Sequence, residues 1–325
     1  MQAFEYASPS TLREAVSLLG SQWDDAAVLA GGTDLVSLMK DYIVTPRRLV
    51  RIGGIAELRR ITQTPAGLRI GAAVTFEELL EHPGVARLPG LRTALAGVSS
   101  PQIRAMGTVG GDLLQRPRCW YFRNGFGLLA RDSSGRELVP AGDNRYHAIL
   151  GNQGPAYFVC PSSLAPPLMV LGARVRLVGP RGSRELAVGE LYRIPTAEGE
   201  REHTLAPNEI LAEIIVPAAA GLRTATYEVR ERELLDWPLA TASVALRLAG
   251  GRVEQARIVL GHVAPIPWHA EAAAQWLQGR TLDEAAATQA GELAVQGARP
   301  LSRNGYKVQL ARVAVRRALL AAREG

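Results

Sequence analysis

The chain has 325 residues, 47% of them hydrophobic and 21% charged, which excludes both a single small module and a disordered chain and predicts two globular domains with a sizeable core. Basic residues number 37 against 31 acidic ones, a net charge of +6, yet they stand in ones and twos beside acids, as in Arg230, Glu231, Arg232 and Glu233, so the excess does not read as a nucleic-acid interface. Two cysteines, Cys119 and Cys160, exclude a disulfide framework and fall short of a thiolate metal site; the expectation is a reducing, cytoplasmic setting with no signal peptide and no membrane span.

The opening reads as strand, helix, strand. Phe4 to Tyr6 is short and apolar, and Thr11 with Glu14 makes a capping box ahead of Leu12, Ala15, Val16 and Leu19 at helical spacing. Ala27 to Ala30 is a buried-strand run ending in Gly31 and Gly32, after which Thr33 or Asp34 caps a helix carrying Leu35, Leu38 and Met39. Strands follow near Leu49 to Ile52 and Gly67 to Ala73, then a second capping box, Thr75 with Glu78, and a helix over Leu91 to Val98. Ser99 to Gly111 reads as an ordered turn region anchored by Ile103, Met106 and Val109. Gln115 to about Tyr157 has little periodicity and reads as an inserted loop.

Ser163 to Leu171 looks helical, Arg174 to Val178 is a strand leading into a Gly-Pro-Arg-Gly turn, and Glu209 to Val216 is another strand. Pro217 to Gly221 marks the domain boundary, giving residues 1–218 and 219–325. Beyond it, Thr224 to Arg230, Ala240 to Leu248 and Gln255 to His262 predict three strands, with Gly250 and Gly251 turning the second into the third. The amphipathic stretches Glu271 to Leu277, Leu282 to Val295 and Tyr306 to Ala322 complete a small α+β domain.

Two segments carry candidate chemistry. In Ala30-Gly31-Gly32-Thr33-Asp34 a glycine pair follows a strand and precedes a helix, a pattern that serves either as a tight turn or as a cradle whose backbone amides face an anion. Thr108-Val109-Gly110-Gly111-Asp112 repeats the pattern, preceded by Gln102, Ile103 and Arg104. Two such loops could present amides to both halves of a pyrophosphate. No Ser-His-Asp set, metal triad or catalytic carboxylate pair accompanies them, so no catalytic or metal-binding residue is assigned. His147 reads as a loop-holding or ligand-proximal residue; His203, His262 and His269 lack metal-like spacing. Arg312, Arg316 and Arg317 read as a solvated helix face or a partner contact, and Cys119 as a packed thiol.

AGGTDL, SPQIRAMGTVGGDLLQ, SSLAPPL, DWPLATASVAL, LGHVAPIPW and YKVQLARVAVRRAL, in this order along nearly the whole chain, resemble the FAD-binding medium subunit of the molybdenum hydroxylases. That resemblance implies an α+β protein with a PCMH-type FAD-binding domain of two α/β subdomains, followed by a small α+β domain with a three-stranded antiparallel sheet. It implies FAD as cofactor, with molybdenum and [2Fe-2S] clusters carried by a molybdopterin-binding large subunit and a small subunit. The flavin would then exchange electrons with a terminal acceptor.

Carried over by residue, Ala30, Gly31, Gly32, Thr33 and Asp34 with Thr108, Gly110, Gly111 and Asp112 would bind the pyrophosphate. Gln102, Ile103 and Arg104 would shape the wall, Ser163 and Leu164 would approach the ribityl chain or ring, and Arg230 would face the flavin. The family's second loop usually ends Gly-Gly-Asn. Asp112 therefore implies a side chain that turns away from the phosphates or is compensated by a nearby amide or arginine. Ser163 stands where Asp is common.

Leu114 to Asn124 resembles the branch whose medium subunit holds an extra [4Fe-4S] cluster in an inserted loop. Such a cluster needs four thiolates; with only Cys119 in that stretch the loop is expected to keep its shape without metal. Trp120, Tyr121 and Phe122 there either meet a partner or close the loop's own core. The alternatives to the electron-transfer reading are a self-sufficient FAD oxidoreductase and a scaffold subunit that has lost FAD.

Overall fold

The computed structural model describes residues 1–98, 100–232 and 236–324. Ser99 of the expected turn region and Glu233 of the mixed charge run lie outside the described residues. Three sheets organise the chain.

The first has three parallel strands: Arg48–Arg51 lies between Glu5–Ala7 and Ala27–Leu29. Parallel neighbours need crossovers, and the helices Leu12–Ser17 and Leu35–Lys40 belong to them. Thr11 accepts a hydrogen bond from the Glu14 amide, as the capping pattern predicts, but the Glu14 carboxylate accepts from the Ser10 amide rather than from Thr11. At Thr75 and Glu78 the box is reciprocal. The core of this subdomain, with Ala15, Val50, Ile55 and Leu58, takes in Ile210 and Ala212 from the second sheet.

The second sheet runs Ile61–Thr64, Gly67–Gly71, Ile210–Pro217, Arg174–Gly179, Gly182–Ala187, with every neighbouring pair antiparallel. Its two edge strands had no reading in the sequence. Ile61–Thr64 buries no residue and Gly182–Ala187 only Leu186, so hydrophobic alternation, the signal of a half-buried strand, is absent.

Between Pro101 and Leu113 the turn reading is corrected: the chain forms two short helices, Pro101–Met106 capped by Ser100 and Val109–Leu113 capped by Thr108. The anchors are corrected too. Val109 is fully buried, whereas Ile103 and Met106 are 41% and 56% exposed. The inserted loop is irregular apart from the helix Trp120–Arg123, and Phe122 closes a small core with Leu38, Leu128, Leu129, Ala156 and Phe158.

The C-terminal sheet has four antiparallel strands, in the order Trp268–His269, Arg252–Gly261, Ala240–Ala249, Arg223–Val229, one more than the three expected. The extra strand is two residues long and follows Pro265 and Pro267, too short for any periodicity to register. Gly250 and Gly251, with φ of +55° and +77°, make the two-residue hairpin turn. The helices Glu271–Leu277, Glu284–Ala294 and Tyr306–Glu324 share a core with this sheet. The buried helix Ala165–Val170 packs against its strands, and Ala245 and Val259 of the sheet belong to the same core cluster as Leu168 and Leu95. Thr224 also accepts a hydrogen bond from the Gly90 amide at 3.2 Å.

Candidate functional site: a groove between two glycine loops and the C-terminal sheet

The two glycine loops meet at Gly31. A Cβ on that residue would lie 1.8 Å from the Met106 carbonyl oxygen, so only glycine allows the first loop to touch the end of the helix Pro101–Met106. Gly110 is pressed as closely on Ala72, where a Cβ would stand 2.7 Å from the Ala72 Cβ.

Their amides are used differently. Among the described residues the backbone N–H groups of Gly31, Gly32, Thr33 and Asp34 donate to no protein acceptor. In the second loop Val109 and Gly110 donate to the carbonyls of Val74 and Ala72, each at 2.9 Å, Gly111 to Thr108 Oγ1 at 3.1 Å, and Asp112 to the Thr108 carbonyl at 2.9 Å. The expectation that both loops present free amides is therefore corrected. The first loop offers donors ahead of the helix Leu35–Lys40, and the second lines the same cavity with Thr108 and the bare backbone of Gly110 and Gly111.

Three cavities follow one another along this seam. The first, of about 220 Å³, is lined by Ala30 to Asp34, Thr108, Gly110, Gly111, Trp23 and Arg201. The second, of about 310 Å³, shares Thr33, Asp34, Thr108, Gly111 and Gln115 with the first and adds Ile103, Asp112, Ser163, Arg230 and Trp237. A third, of about 190 Å³, shares Arg118, Asp236, Trp237 and Pro238 with the second and ends on Cys119, His147, His262 and Lys307. Three further residues named in the sequence stand apart. Gln102 is exposed and accepts from Ser100 Oγ at 2.9 Å; Leu164 is fully buried; the Arg104 guanidinium turns to Glu77 at 3.0 Å and to the Val98 carbonyl at 3.3 Å.

Asp112 turns inward. Its carboxylate accepts from Ser162 Oγ, from the amides of Leu164 at 3.0 Å and Ser163 at 3.3 Å, and from Gln115 Nε2 at 3.0 Å. Nearby amides compensate the acid, as one of the two expected dispositions has it. Burial pushes the carboxyl up to about 6 against the pull of these donors. The second loop is thereby fastened to the Ser162 to Leu164 segment, which opens the helix Ala165–Val170.

Asp34 does not cap its helix. Its carboxylate accepts from the Arg116 amide at 2.9 Å, from Arg123 Nη2 at 2.7 Å and from Arg118 Nη1 at 3.1 Å, so it ties the inserted loop to the first glycine loop. Arg116 in turn pairs with buried Glu202, where burial works against ionisation and the guanidinium outweighs it. The Arg201 guanidinium lies 4.0 Å over the Trp23 ring, and burial lowers it to about 9. Trp23, Arg201, Arg116 and Glu202 carry no local motif; only the fold brings them together.

In the third cavity burial governs the titratable groups and lowers Lys307 to about 7. Burial pushes the Cys119 thiol up to about 11 and holds His147 near 4 and His262 near 3, so all three are neutral at pH 7. Cys119 Sγ is 3.2 Å from His147 Nε2. Among the described residues there is no group of three or more His, Cys, Asp or Glu side chains that could hold a metal ion, and no helix is long and apolar enough to cross a membrane.

Two glycine pairs in one wall, four amides without a protein acceptor among the described residues and the Trp23 ring beside them fit the pyrophosphate and base of a dinucleotide. Comparison with known proteins agrees with that fit. Residues 2–219 match the family described as the FAD binding domain in molybdopterin dehydrogenase, and residues 225–322 match the CO dehydrogenase flavoprotein C-terminal domain. The chain is 32% identical to the aldehyde oxidoreductase FAD-binding subunit PaoB of Escherichia coli, over 96% of each chain. It is 31% identical to the carbon monoxide dehydrogenase medium chain of Afipia carboxidovorans, over 98% of this chain and 96% of that one.

Among solved structures, carbon monoxide dehydrogenase from Hydrogenophaga pseudoflava superposes with a TM-score of 0.76 at 32% identity, covering 99% of this chain and 97% of that one. Quinoline 2-oxidoreductase from Pseudomonas putida 86 gives 0.77 at 27% identity, covering 100% and 98%. With both family domains matched in order and relatives aligned over nearly their whole length, the chain belongs to the FAD-binding medium subunits of the molybdenum hydroxylases.

Proposed function

We propose that this chain holds one FAD along the groove and serves, in the cytoplasm, as the flavin relay of a three-subunit oxidoreductase. Electrons would pass between a [2Fe-2S] small subunit and a terminal acceptor, while a molybdopterin-binding large subunit carries out the chemistry on the organic substrate. The observation that carries this reading is the first loop, whose amides from Gly31 to Asp34 meet no protein acceptor among the described residues and which packs at Gly31 on the Met106 carbonyl, lining one cavity with Thr108, Gly110 and Gly111.

The residues divide the work by chemistry. The amides of Gly31 to Asp34 suit the pyrophosphate oxygens, which accept several N–H donors at once. Trp23, with Arg201 stacked on it, suits the planar adenine end. Ser163, Ile103, Arg230 and Trp237 surround the cavity that would take the ring. Asp112 acts at one remove, fixing the backbone that presents Ser163. Bound flavin supplies the redox chemistry, since it accepts and releases one or two electrons. The protein positions it, screens it from water and sets the charge around it.

The test is to purify the chain alone and with its partners, record the visible spectrum, identify any released cofactor, titrate FAD into apo-protein and measure iron. The reading expects one FAD and no iron in the isolated chain. A colourless protein that takes up no FAD even with partners present overturns it in favour of a scaffold.

A further inference from the structure

One buried ionic pair has no place in the account so far. Glu228, in the strand Arg223–Val229, and Arg230 just beyond it have side chains only 8% and 11% exposed, and they bond to each other through Glu228 Oε2 and Arg230 Nη2. Arg230 Nη1 also donates to the Asp236 carbonyl at 3.2 Å. Glu228 Oε1, fully buried, has no partner among the described residues. A buried acceptor left without a donor is unfavourable for folding, and such groups persist where function requires them.

The position of the pair suggests that function. Gly97 and Arg230 line both the cavity of about 310 Å³ and an outer cleft of about 510 Å³, and Glu228 lines the cleft. A Cβ at Gly97 would fall 2.4 Å from Glu228 Oε2 and 2.7 Å from Arg230 Nη2. The two head groups thus occupy the space that a side chain at position 97 would fill, and they form the wall between cavity and cleft. Burial pushes the Glu228 carboxyl up and Arg230 pulls it down, with buried Asp112 adding an upward push.

We propose that Glu228 is a positioning residue. It fixes the Arg230 guanidinium in the wall of the ring-side cavity and balances its charge, so that the pair sets how strongly the site favours the reduced, negatively charged flavin over the oxidised one. This rests on the flavin reading of the groove. The physical reason is that a fixed cation in a dry wall favours an anion beside it, and a carboxylate bonded to that cation cancels most of the bias. Removing the carboxylate exposes the bias, and removing the guanidinium takes the cation out of the wall and lets the buried carboxylate take up a proton, so that the bias toward an anion is lost.

The experiment is a redox titration of the FAD-loaded full chain against a reference dye, with oxidised FAD affinity and melting temperature measured beside it, for wild type, Glu228→Gln, Arg230→Gln and Gly97→Ala. Glu228→Gln should raise the midpoint potential, strengthening reduced over oxidised binding at least tenfold, about 30 mV for a two-electron couple. Arg230→Gln should lower it, by a smaller factor. Gly97→Ala, whose Cβ displaces both head groups, should move the potential without touching either charge. Where Glu228→Gln does not fold, Arg230→Gln and Gly97→Ala decide the matter. Potentials that stay within threefold of the wild-type ratio in every variant that folds, or charge variants that shift the same way, overturn the proposal. A wild-type chain that takes up no FAD refutes the flavin reading instead.

Discussion

Replacing Gly31 by alanine puts the loop junction to a direct test. The new Cβ would stand 1.8 Å from the Met106 carbonyl oxygen and 2.7 Å from its carbon, where ordinary contact begins near 3.4 Å. Both neighbours are backbone, so no rotamer change relieves the clash; the loops must part by about 1.5 Å. Overpacking of this kind costs about 1–3 kcal/mol of stability. A displacement of that size also takes the amides of Gly31 to Asp34 out of hydrogen-bond range of a shared ligand. FAD affinity should therefore fall at least tenfold, about 1.4 kcal/mol.

Two glycines calibrate the result. Gly111→Ala meets only Thr108 Oγ1, at 2.9 Å, and should cost about 1 kcal/mol through the cap it disturbs. Gly53→Ala meets nothing within 4 Å and should change stability by less than about 0.5 kcal/mol. Urea denaturation and fluorescence titration of apo-protein with FAD give both quantities. A Gly31→Ala variant that melts and binds FAD like Gly53→Ala would show that the loops do not form a common surface for the cofactor.

Further expectations concern groups that the fold has enclosed. Burial lifts the Asp112 carboxyl from 3.8 to about 6, so its contribution to stability is most favourable below about pH 4 and is lost as pH rises through 6, by roughly 3 kcal/mol. The carboxamide that Asp112→Asn introduces does not titrate. The stability of wild type relative to Asp112→Asn, from urea denaturation between pH 4 and 7, should fall with rising pH by that amount, and a flat difference would refute the buried ionisation. Asp34→Ala removes the acceptor for Arg116, Arg118 and Arg123. It should lower stability by about 1–2 kcal/mol and hasten tryptic cleavage after Arg118 and Arg123; unchanged digestion would count against the clamp. Lys307 Nζ donates to the carbonyls of Tyr146, His147 and His262 at 3.1, 3.2 and 2.7 Å. Lys307→Met takes this donor from the Tyr146 and His262 carbonyls, while His147 keeps Asn304 Nδ2 at 3.1 Å; it should cost roughly 3 kcal/mol, read as a lower melting temperature.

Features whose cause is local were legible in the sequence. The Thr75–Glu78 box, the glycine turn after Ala27–Leu29 and the Gly250–Gly251 hairpin each depend on residues a few positions apart. The edge strands Ile61–Thr64 and Gly182–Ala187 were illegible because between them only Leu186 is buried, which leaves no pattern of burial to encode. In the groove the glycine pairs were readable and their division of labour was not. The amides of Val109 and Gly110 are claimed by carbonyls of Val74 and Ala72, more than thirty positions earlier. Asp112 was recognisable as an anomaly, but all its donors except Gln115 lie about fifty residues on. Arg116 and Glu202 are separated by 86 residues, and no spacing rule reaches that far.

The continuity of the core across the groove bears on how a ligand enters and leaves. Ala245 and Val259 of the C-terminal sheet share one apolar cluster with Leu95 and Leu168 of the first domain, so rotating the domains apart would expose that cluster to water. A hinge is therefore an expensive way to open the seam, and exchange must proceed through local fluctuations of the loops at its mouth. Retention then has a kinetic side: uptake and release both wait on the same loop openings, so the residence time of a bound ligand should lengthen as those loops are made more stable.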